Sequence, residues 1–320
     1  MIMVLSIAII VGFAVSAGLG PVMIPFLRKL KIGQTIRDDG PESHLKKNGT
    51  PTMGGIIFLS SLVVTSLFFI KSHPGIVPVL LMTISFGLIG FIDDYIKVVL
   101  KRAMGFKAWQ KLICELIVTT VYAVYMMSSK EAELTMLVPF SGGRYVSAGI
   151  LTVPLLFFVI LGTVNGANFT DGLDGLSTKV TLGILGFLCV PAIMENSGLD
   201  PVLGAMIGAL LGFLLYNAHP AKVFMGDTGS LAMGAFVATT AYMLRMPLFI
   251  VIVAFVYLAE VLSVILQVGY FKLTHGKRIF RMAPIHHHFE LCGIEETRVV
   301  EAFFIVTVIL AVIGVIAYLI

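Results

Sequence analysis

Charge is scarce in this sequence. Only 12% of the 320 residues are Asp, Glu, Lys or Arg, whereas 58% are hydrophobic and the mean hydropathy is +1.00. Soluble domains carry about 25% charged residues, so this composition excludes a large soluble protein. The net charge is only +4 and no basic stripe is present, which argues against a nucleic-acid partner. The composition indicates an integral membrane protein.

Cysteine and an N-terminal basic segment are also missing or rare. The three cysteines, Cys114, Cys189 and Cys292, are scattered and odd in number, so neither a disulfide framework nor a CxxC metal site is expected. Cys114 and Cys189 lie in apolar runs and are predicted to be buried thiols. The first basic residue, Arg28, follows the first apolar run. We therefore expect that run to be a retained membrane span rather than a cleaved signal peptide.

Long apolar runs are what the sequence has in place of charge. A helix needs about 20 apolar residues to cross the hydrocarbon core of a bilayer, and ten segments are predicted to do so. They begin near Met1, Gly54, Gly75, Ala108, Gly149, Ser177, Pro201, Gly229, Pro247 and Val299. The sequence thus predicts an all-α integral membrane protein with about ten transmembrane helices, in which residues 1–320 form a single polytopic domain.

The loops between these segments differ in their positive charge. One alternate set comprises residues 28–50, 95–111, 165–179, 217–228 and 270–298, and the other set holds only Lys71, Lys130, Arg144 and Arg245 of the 22 basic residues. Positively charged loops stay on the cytoplasmic side of a membrane. The five basic loops are therefore predicted to be cytoplasmic, with both termini on the outer face.

Every chemically suggestive motif lies in the cytoplasmic set. The motifs are "KKNGTPTMGG" (46–55), "DDYIK" (93–97), "NGANFTDGLDG" (165–175), "NAHPAKVFMGDTGS" (217–230) and "APIHHHFELCG" (283–293). A secondary transporter, which is the alternative class, would place ionisable residues in mid-membrane or at both faces. Polar groups at helix ends on one face favour chemistry between a cytosolic substrate and a lipid-borne one.

Five aspartates stand at or near the inner ends of three predicted spans, namely Asp93, Asp94, Asp171, Asp174 and Asp227. Mg²⁺ is bound by a few carboxylates together with phosphate oxygens and waters, so acids converging from separate helices favour a magnesium site. Asp93 and Lys97 are four residues apart and can form an ion pair on one helix face. The alternative is that Asp93, Asp94 and Lys97 form a solvated cap at the membrane surface.

The motifs "NFTDGLDG" and "FMGDTGS" both place Asp beside Gly just before an apolar helix. Glycine lets backbone N–H groups approach a ligand closely, and helix N-termini favour anions. Asp171, Asp174 or Asp227 could instead cap a helix, with Thr228 or Ser230 as alternative caps. Three asparagines in these loops offer amide donors and acceptors suited to a base or a sugar: Asn165, Asn168 and Asn217.

A run of three consecutive histidines, His286, His287 and His288, is uncommon and is therefore more informative than a single polar residue in a loop. They cannot all point the same way on a helix or a strand, and no regularly spaced cysteine or histidine accompanies them as a zinc site would require. Phosphate or sugar contact is favoured, and a surface histidine cluster is the alternative. Three cations upstream of the histidines, Lys277, Arg278 and Arg281, are expected to aid such contact. In other cytoplasmic loops, Lys46, Lys47, Lys107 and Lys111 are candidates to neutralise phosphates, and the alternative for each is a positive-inside charge.

The motifs "GTPTMGG", "DDYIK", "NGANFTDGLDGL", "VFMGDTGS" and "PIHHHFE" together resemble the phospho-N-acetylmuramoyl-pentapeptide-transferase (translocase I) family, part of the polyprenyl-phosphate N-acetylhexosamine-1-phosphate transferase superfamily. The resemblance extends from the first cytoplasmic loop to the last span. It implies that phospho-MurNAc-pentapeptide is transferred from UDP-MurNAc-pentapeptide to undecaprenyl phosphate, giving lipid I and UMP in peptidoglycan synthesis. It further implies a requirement for Mg²⁺, ten spans, a homodimer, and a location in the bacterial plasma membrane with the active site facing the cytoplasm.

The resemblance also implies roles for individual residues. Asp93 and Asp94 match the family's essential aspartate pair, and Asp227 matches its magnesium-ligating aspartate; these three are the predicted catalytic residues. Phe224 matches an aromatic residue that stacks on uracil. The predicted substrate-binding residues are Lys47 (or its neighbour Lys46), Thr52, Lys97, Asn165, Asn168, Asp171, Gly172, Leu173, Asp174, Asn217, Phe224, His286, His287 and His288.

Two mechanisms are compatible with these residues. The acceptor phosphate has a second pKa of about 6, so it is already a nucleophilic dianion at neutral pH. Direct in-line attack is favoured, with Asp93 positioning or deprotonating the lipid phosphate and Asp94 assisting. A two-step route through a phospho-aspartate is the alternative.

A related enzyme that uses UDP-GlcNAc as the donor is an alternative to the function itself. The motif "PIHHHFE" argues against that donor.

Overall fold

The computed structural model describes residues 1–29, 49–100, 105–129 and 134–320. These residues form a bundle of helices with one short hairpin. The first helices are α1 (Ile2–Lys29), α2 (Gly55–Leu67), α3 (Val77–Val98) and α4 (Ala108–Ser128). The strands β1 (Thr135–Leu137) and β2 (Tyr145–Ser147) come next. The remaining helices are α5 (Thr152–Thr170), α6 (Leu176–Met194), α7 (Asp200–Asn217), α8 (Gly226–Met243), α9 (Ile250–Val253), α10 (Phe255–Leu273), α11 (Ile285–Leu291) and α12 (Glu296–Leu319).

The helices have the length and composition of membrane spans. Within the described ranges, eight of them are long and apolar enough to cross a bilayer: α1, α3, α4, α5, α6, α7, α10 and α12. The predicted spans near Gly54 and Gly229 correspond to α2, which has only 13 residues, and to α8, which begins with the polar sequence "GDTGS". The predicted class of helical membrane protein is confirmed, whereas the count of ten spans stays a prediction.

A small hairpin departs from the all-α expectation. Strands β1 and β2 pair antiparallel, with Met136 opposite Val146, in a loop predicted to lie on the outer side. Gly142 and Gly143 both have positive φ in the turn, a conformation that glycine adopts without a steric penalty. The guanidinium of Arg245 lies 4.3 Å from the centre of the Tyr145 ring, so the hairpin is attached to the loop after α8.

Helix α8 lies in the interior of the bundle. Every residue from 228 to 242 in this helix is buried, and its principal neighbours are α3 and α5. The helix is rich in Gly, Ala, Ser and Thr, and such small residues let helix backbones approach closely inside membranes. The polar start of α8 is therefore enclosed by its neighbours rather than exposed at the surface.

Consecutive long helices run back and forth, so alternate helix ends meet on one side of the bundle. The C-terminal ends of α3, α5 and α7 share this side with the N-terminal ends of α4, α6 and α8. Residues 171–175 form the tight connection from α5 to α6, which ends at Gly175 with φ of 76°. The described residues of the five polar sequence motifs belong to this side of the molecule.

Candidate active site

The paired aspartates of α3 are buried. Asp93 and Asp94 are 2% and 4% exposed, so the alternative of a solvated cap is excluded. Successive residues on a helix point about 100° apart, and the two carboxylates accordingly contact different partners. Asp93 accepts hydrogen bonds from Lys97 at 2.7 Å and from the backbone N–H of Phe106, the latter just before α4. The predicted ion pair between Asp93 and Lys97 is confirmed.

Asp94 is bonded to the start of α8. Its Oδ2 accepts hydrogen bonds from the hydroxyl and the backbone N–H of Thr228 at 2.7 and 2.9 Å, and its Oδ1 accepts from the N–H of Asp227 at 3.2 Å. Met225, at the N-cap position of α8, makes no side-chain capping bond within the described part of the chain. A carboxylate from α3 thus accepts from two of the free N–H groups at the start of α8, where negative charge is favourable.

Asp227 is the centre of the site. Its Oδ2 accepts hydrogen bonds from Lys97 at 2.9 Å and from Lys111 at 3.2 Å, while its Oδ1 accepts from the amide of Asn168 at 2.8 Å. Lys97 therefore bridges Asp227 and Asp93. Four helices, α3, α4, α5 and α8, each contribute a charged or polar group to one network.

Two acids of the site have pKa values that are shifted in opposite directions. Burial alone would raise the pKa of Asp227, but Lys111, contact with Asp93, and Lys97 together hold that pKa below its ordinary value of 3.8. The pKa of Asp171, in the connection between α5 and α6, is shifted in the opposite direction. Burial, reinforced by the negative charge of Asp227, raises the pKa of Asp171 well above 3.8. The surroundings of Asp227 thus favour its ionised form, whereas those of Asp171 make ionisation harder than in a free aspartate.

Two contributors to the site were weakly indicated or missed in the sequence. Lys111 was only one of several candidate phosphate partners, yet it contacts both Asp227 and, at 3.4 Å, the Oδ1 of Asn168. Glu115 was not predicted at all. It is 1% exposed on α4 and accepts a hydrogen bond from the amide of Asn165 at 3.0 Å. A lone acid within an apolar span is a functional signal in itself and could have identified it.

The oxygen-rich donor set suits a hard cation such as Mg²⁺, which is held by one or two carboxylates together with substrate phosphates. In the structure, the ammonium groups of Lys97 and Lys111 neutralise Asp227 at the position where a cation is favoured. Among the described residues, only one group brings three acidic or histidine ligand atoms within 4.8 Å of one another, and it consists of Asp174, His219 and Glu296. The central acids therefore fit a site of one or two carboxylates rather than a three-carboxylate cage.

The predicted nucleotide pocket lies beside this network. Asp174 is buried, and its Oδ2 accepts a hydrogen bond from the N–H of Ala221 at 2.9 Å, so it does not cap α6. Asn217 uses its amide internally, because Oδ1 accepts from Thr178 at 2.8 Å and Nδ2 donates to the carbonyl of Val223 at 3.1 Å. These bonds fix the chain that leads to Phe224, whose ring is half-buried.

The "GTPTMGG" motif packs against the segment that precedes α8. The N–H of Phe224 donates to the carbonyl of Pro51, and the N–H of Gly54 donates to the carbonyl of Phe224, both at 2.8 Å. Thr52 is 5% exposed beside Gly226. The first-loop motif thereby joins the site through backbone pairing. Lys46 and Lys47 lie outside the described residues.

The three histidines point in different directions, as predicted. His286 is fully buried, and its Nδ1 lies 3.1 Å from Glu260 Oε1. His287 pairs with Glu290 at 2.8 Å, and His288 accepts a hydrogen bond from the N–H of Arg281 at 3.1 Å. His286 therefore approaches the site from the interior, and the other two histidines are held within their own loop.

The fold and the site define a helical membrane protein that gathers acids, lysines and an amide at one end of its bundle. The family model for glycosyl transferase family 4 matches residues 76–245, and signature 1 of phospho-N-acetylmuramoyl-pentapeptide-transferase matches residues 47–59. The chain belongs to the phospho-N-acetylmuramoyl-pentapeptide-transferase family, whose members are phosphoglycosyl transferases.

Curated relatives extend this similarity over nearly the whole chain. The phospho-N-acetylmuramoyl-pentapeptide-transferase of Clostridium novyi (strain NT) is 49% identical over 310 residues, covering 96% of this chain and 94% of the relative. The protein of the same name from Clostridioides difficile (strain 630) is 46% identical over 315 residues, covering 98% and 97%. The relative from Acetivibrio thermocellus is 48% identical over 308 residues, covering 95% and 92%. The resemblance inferred from the motifs is confirmed.

Proposed function

We propose that this protein transfers phospho-MurNAc-pentapeptide from UDP-MurNAc-pentapeptide to undecaprenyl phosphate, forming lipid I and UMP. Family membership supports the reaction. The observation that carries the proposal is the network of Asp93, Lys97, Lys111, Asn168 and Asp227, which converges from four helices at one end of the bundle. Such a network is suited to two phosphate groups that repel each other.

The proposed site faces the cytoplasm of a bacterium, in a plasma-membrane protein with ten spans and outward-facing termini. The basic loops support this orientation, because all but four of the 22 Lys and Arg residues belong to the five sequence segments predicted to be cytoplasmic. Undecaprenyl phosphate would reach the site from the inner leaflet and the nucleotide from the cytosol. A homodimer, implied by the family resemblance, is tested by crosslinking the protein in native membranes.

The proposed mechanism is a direct in-line displacement. The lipid phosphate is a dianion at neutral pH, given a second pKa of about 6, so its approach to a diphosphate is opposed by charge repulsion. Lys97 and Lys111 lie where they can offset that repulsion, which is the main contribution a protein makes to phosphoryl transfer. Asp93 orients the lipid phosphate or removes its last proton, while Asp94 fixes α8, and with it Asp227.

Asp227, with Asp93 beside it, would hold Mg²⁺. When bound, the ion would supply positive charge to the diphosphate and to the departing UMP. Lys97 and Lys111 would then release Asp227 and turn toward the phosphates, because both are flexible side chains with mobile ammonium groups. Chelation of divalent ions should abolish UMP release, and added Mg²⁺ should restore it; activity that survives chelation would contradict this part of the proposal.

The nucleotide is proposed to lie on the loop of residues 171–174, with the half-buried ring of Phe224 stacked on uracil. Thr52, Asn165 and the histidine motif complete the proposed substrate contacts. Asn217 and Asp174 act there by holding the loops, since their side chains are already bonded to Thr178, Val223 and Ala221.

The function is tested by incubating the purified protein with UDP-MurNAc-pentapeptide and undecaprenyl phosphate. Release of UMP with formation of a lipid-linked product is expected, and UDP-GlcNAc in place of the donor should give none. UMP release only from UDP-GlcNAc would establish the alternative donor. Accumulation of an intact nucleotide in sealed vesicles would instead indicate a transporter.

The mechanism is tested with radiolabelled donor in the absence of the lipid. Direct attack predicts no labelled protein and no UMP under these conditions. A labelled protein band, or one UMP formed per enzyme, would establish the phospho-aspartate route.

A further inference from the structure

A buried acid on α10 has no part in the mechanism described so far. Glu260 and His286 are both 0% exposed, and Glu260 Oε1 lies 3.1 Å from His286 Nδ1. Within the described part of the chain, neither Glu260 Oε2 nor His286 Nε2 has a hydrogen-bond partner. Burying polar atoms without partners is costly, so a pair retained in this state calls for an explanation beyond packing.

The free nitrogen of His286 faces the loop that is proposed to bind the nucleotide. A Cβ added at Gly172 would lie 2.1 Å from His286 Nε2 and 2.6 Å from its Cε1. Gly172 does not have a positive φ, so the backbone conformation itself does not require glycine there. The imidazole ring is what excludes a side chain, and it lies directly against the Gly172 backbone.

The part of α10 that carries Glu260 is packed tightly against α5. Tyr257, one turn before Glu260 on α10, is 1% exposed and contacts Gly166 on α5 so closely that a Cβ there would be 2.8 Å from the Tyr257 Cβ. The His287 ring also packs against His286, with ring centres 4.1 Å apart. Glu260 therefore has a fixed position relative to α5, and α5 leads directly into residues 171–174.

We propose that Glu260 is a positioning residue for nucleotide binding, holding the His286 ring against Gly172 so that the backbone of residues 171–174 keeps the shape that receives the nucleotide. This inference rests on the proposed function and adds to it a residue outside the sequence motifs. In this arrangement Glu260 Oε1 accepts a hydrogen bond from His286 Nδ1, which leaves Nε2 as the atom beside Gly172. The ring orientation and the Gly172 contact then follow from one hydrogen bond.

The first test compares variants of the full-length protein by UMP binding and by kinetics. Glu260→Ala should weaken UMP binding, and raise KM for the UDP-linked donor, by about tenfold or more, the effect of losing one charge-assisted hydrogen bond. KM for undecaprenyl phosphate should be unchanged. Glu260→Gln, whose amide can still bond to Nδ1, should restore most of the affinity.

The chain offers a matched control at the other end of the bundle. Asp200 is 1% exposed at the start of α7, and neither of its carboxylate oxygens has a partner among the described residues. Asp200→Ala removes a buried carboxylate far from the nucleotide, so it should leave UMP affinity unchanged whatever it does to thermal stability. Equal loss of UMP binding in both alanine variants would overturn the proposal, because it would show a general effect of removing buried acids.

The second test addresses the contact between His286 and Gly172. Gly172→Ala should weaken UMP binding strongly, because the new methyl group meets the imidazole. In a His286→Ala background the same substitution should have little further effect, since the ring is gone. Losses that simply add would overturn the contact as the means of positioning.

The positioning role of Glu260 and the proposed function can be refuted by different results. If folded Glu260→Ala and Glu260→Gln proteins bound UMP as tightly as the wild type, the positioning role would be refuted and the proposed function would stand. If the wild-type protein itself neither bound UMP nor released it, the proposed function would fall and the positioning role with it.

Discussion

Adjacent residues can have different tasks, and Asp93 and Asp94 illustrate this. Their side chains diverge by about 100° around α3. Asp93 faces Lys97 and the loop before α4, whereas Asp94 accepts three hydrogen bonds from the first turn of α8. The first arrangement leaves a carboxylate beside the proposed phosphate site. The second uses a carboxylate to hold a helix end in place.

Asp227 is the residue whose replacement should affect activity most. Asp227→Asn leaves Lys97 and Lys111 without their shared anion and weakens any bound cation. UMP release is expected to fall by about a hundredfold or more, as when one preorganised electrostatic partner is removed, and the Mg²⁺ requirement should rise. Glu295→Gln is the matched control, because the Glu295 side chain is 75% exposed and pairs with the exposed Arg298. Full activity in Asp227→Asn would remove this residue from the reaction.

The raised pKa of Asp171 predicts that the stability of the folded protein depends on pH. Because its pKa is raised in the folded protein, the folded state holds the Asp171 proton more tightly than the unfolded state does. Stability from this group is thus present below the unfolded pKa of about 3.9 and is lost as the pH rises toward the folded pKa. Asp171→Asn stays neutral at every pH.

The thermal stability of Asp171→Asn relative to wild type should therefore increase as the pH rises above the unfolded pKa of about 3.9, and level off once Asp171 has ionised in the folded protein. Thermal unfolding in detergent, measured over a pH series that starts near the unfolded pKa, gives the difference. A difference independent of pH would contradict the raised pKa.

At the scale of helices, close contact between α3 and α8 builds the site. A Cβ at Gly90 would lie 2.1 Å from the carbonyl oxygen of Asp227, so glycine allows the two helix backbones to meet. This contact brings Asp94 within hydrogen-bond distance of the α8 N-terminus, and it brings Asp227 close enough to Asp93 for Lys97 to contact both.

Gly90→Ala is expected to push α3 from α8, lowering stability by about 1–3 kcal/mol, the usual cost of overpacking, and greatly reducing UMP release. Gly162→Ala on α5 is the control, because a Cβ there meets nothing within 4 Å. That substitution should be neutral or slightly stabilising, since alanine favours helix more than glycine does. Equal thermal unfolding temperatures for the two variants would contradict the role given to Gly90.

Helices α2 and α8 show where hydropathy is a poor guide. Helix α2 has 13 residues, which at 1.5 Å per residue span about 20 Å, less than a hydrocarbon core of about 30 Å. Helix α8 is interior, so its surface contacts other helices instead of lipid and has no need to be strongly apolar. Both helices were predicted as apolar spans of about 20 residues, but neither meets the criterion of a long apolar span in the structure.

At the scale of the whole molecule, the described parts of the basic loops lie at the same end of the bundle as the site, and this predicts the orientation of the protein in the membrane. Cys292 is exposed near the histidine motif, and Ile150 is 93% exposed beyond the outer hairpin. In a protein carrying Cys114→Ala and Cys189→Ala, a membrane-impermeant maleimide applied to intact cells should not label Cys292. With Cys292→Ala and Ile150→Cys it should label the new thiol. The opposite labelling pattern would reverse the proposed orientation.

The class of protein, the approximate positions of the helices and the side on which the polar motifs gather were all predictable from the amino-acid sequence. These properties follow from local composition, because a backbone in lipid must satisfy its own hydrogen bonds and so becomes helical wherever the chain is apolar. The ion pair between Asp93 and Lys97 was predictable for the same reason, since it depends only on spacing along one helix.

The tertiary structure alone decided which distant groups meet. The local sequence does not distinguish Lys111, which contacts Asp227, from Lys107. It also does not show that Glu115 pairs with Asn165, or that the Asn217 amide is hydrogen-bonded to Thr178 and Val223. Such contacts depend on how each helix is rotated and how deeply it packs, which is set by side chains on several helices at once. Asp94 meets α8, and His286 meets Gly172, because glycines permit approaches that become visible only when the helices are packed together.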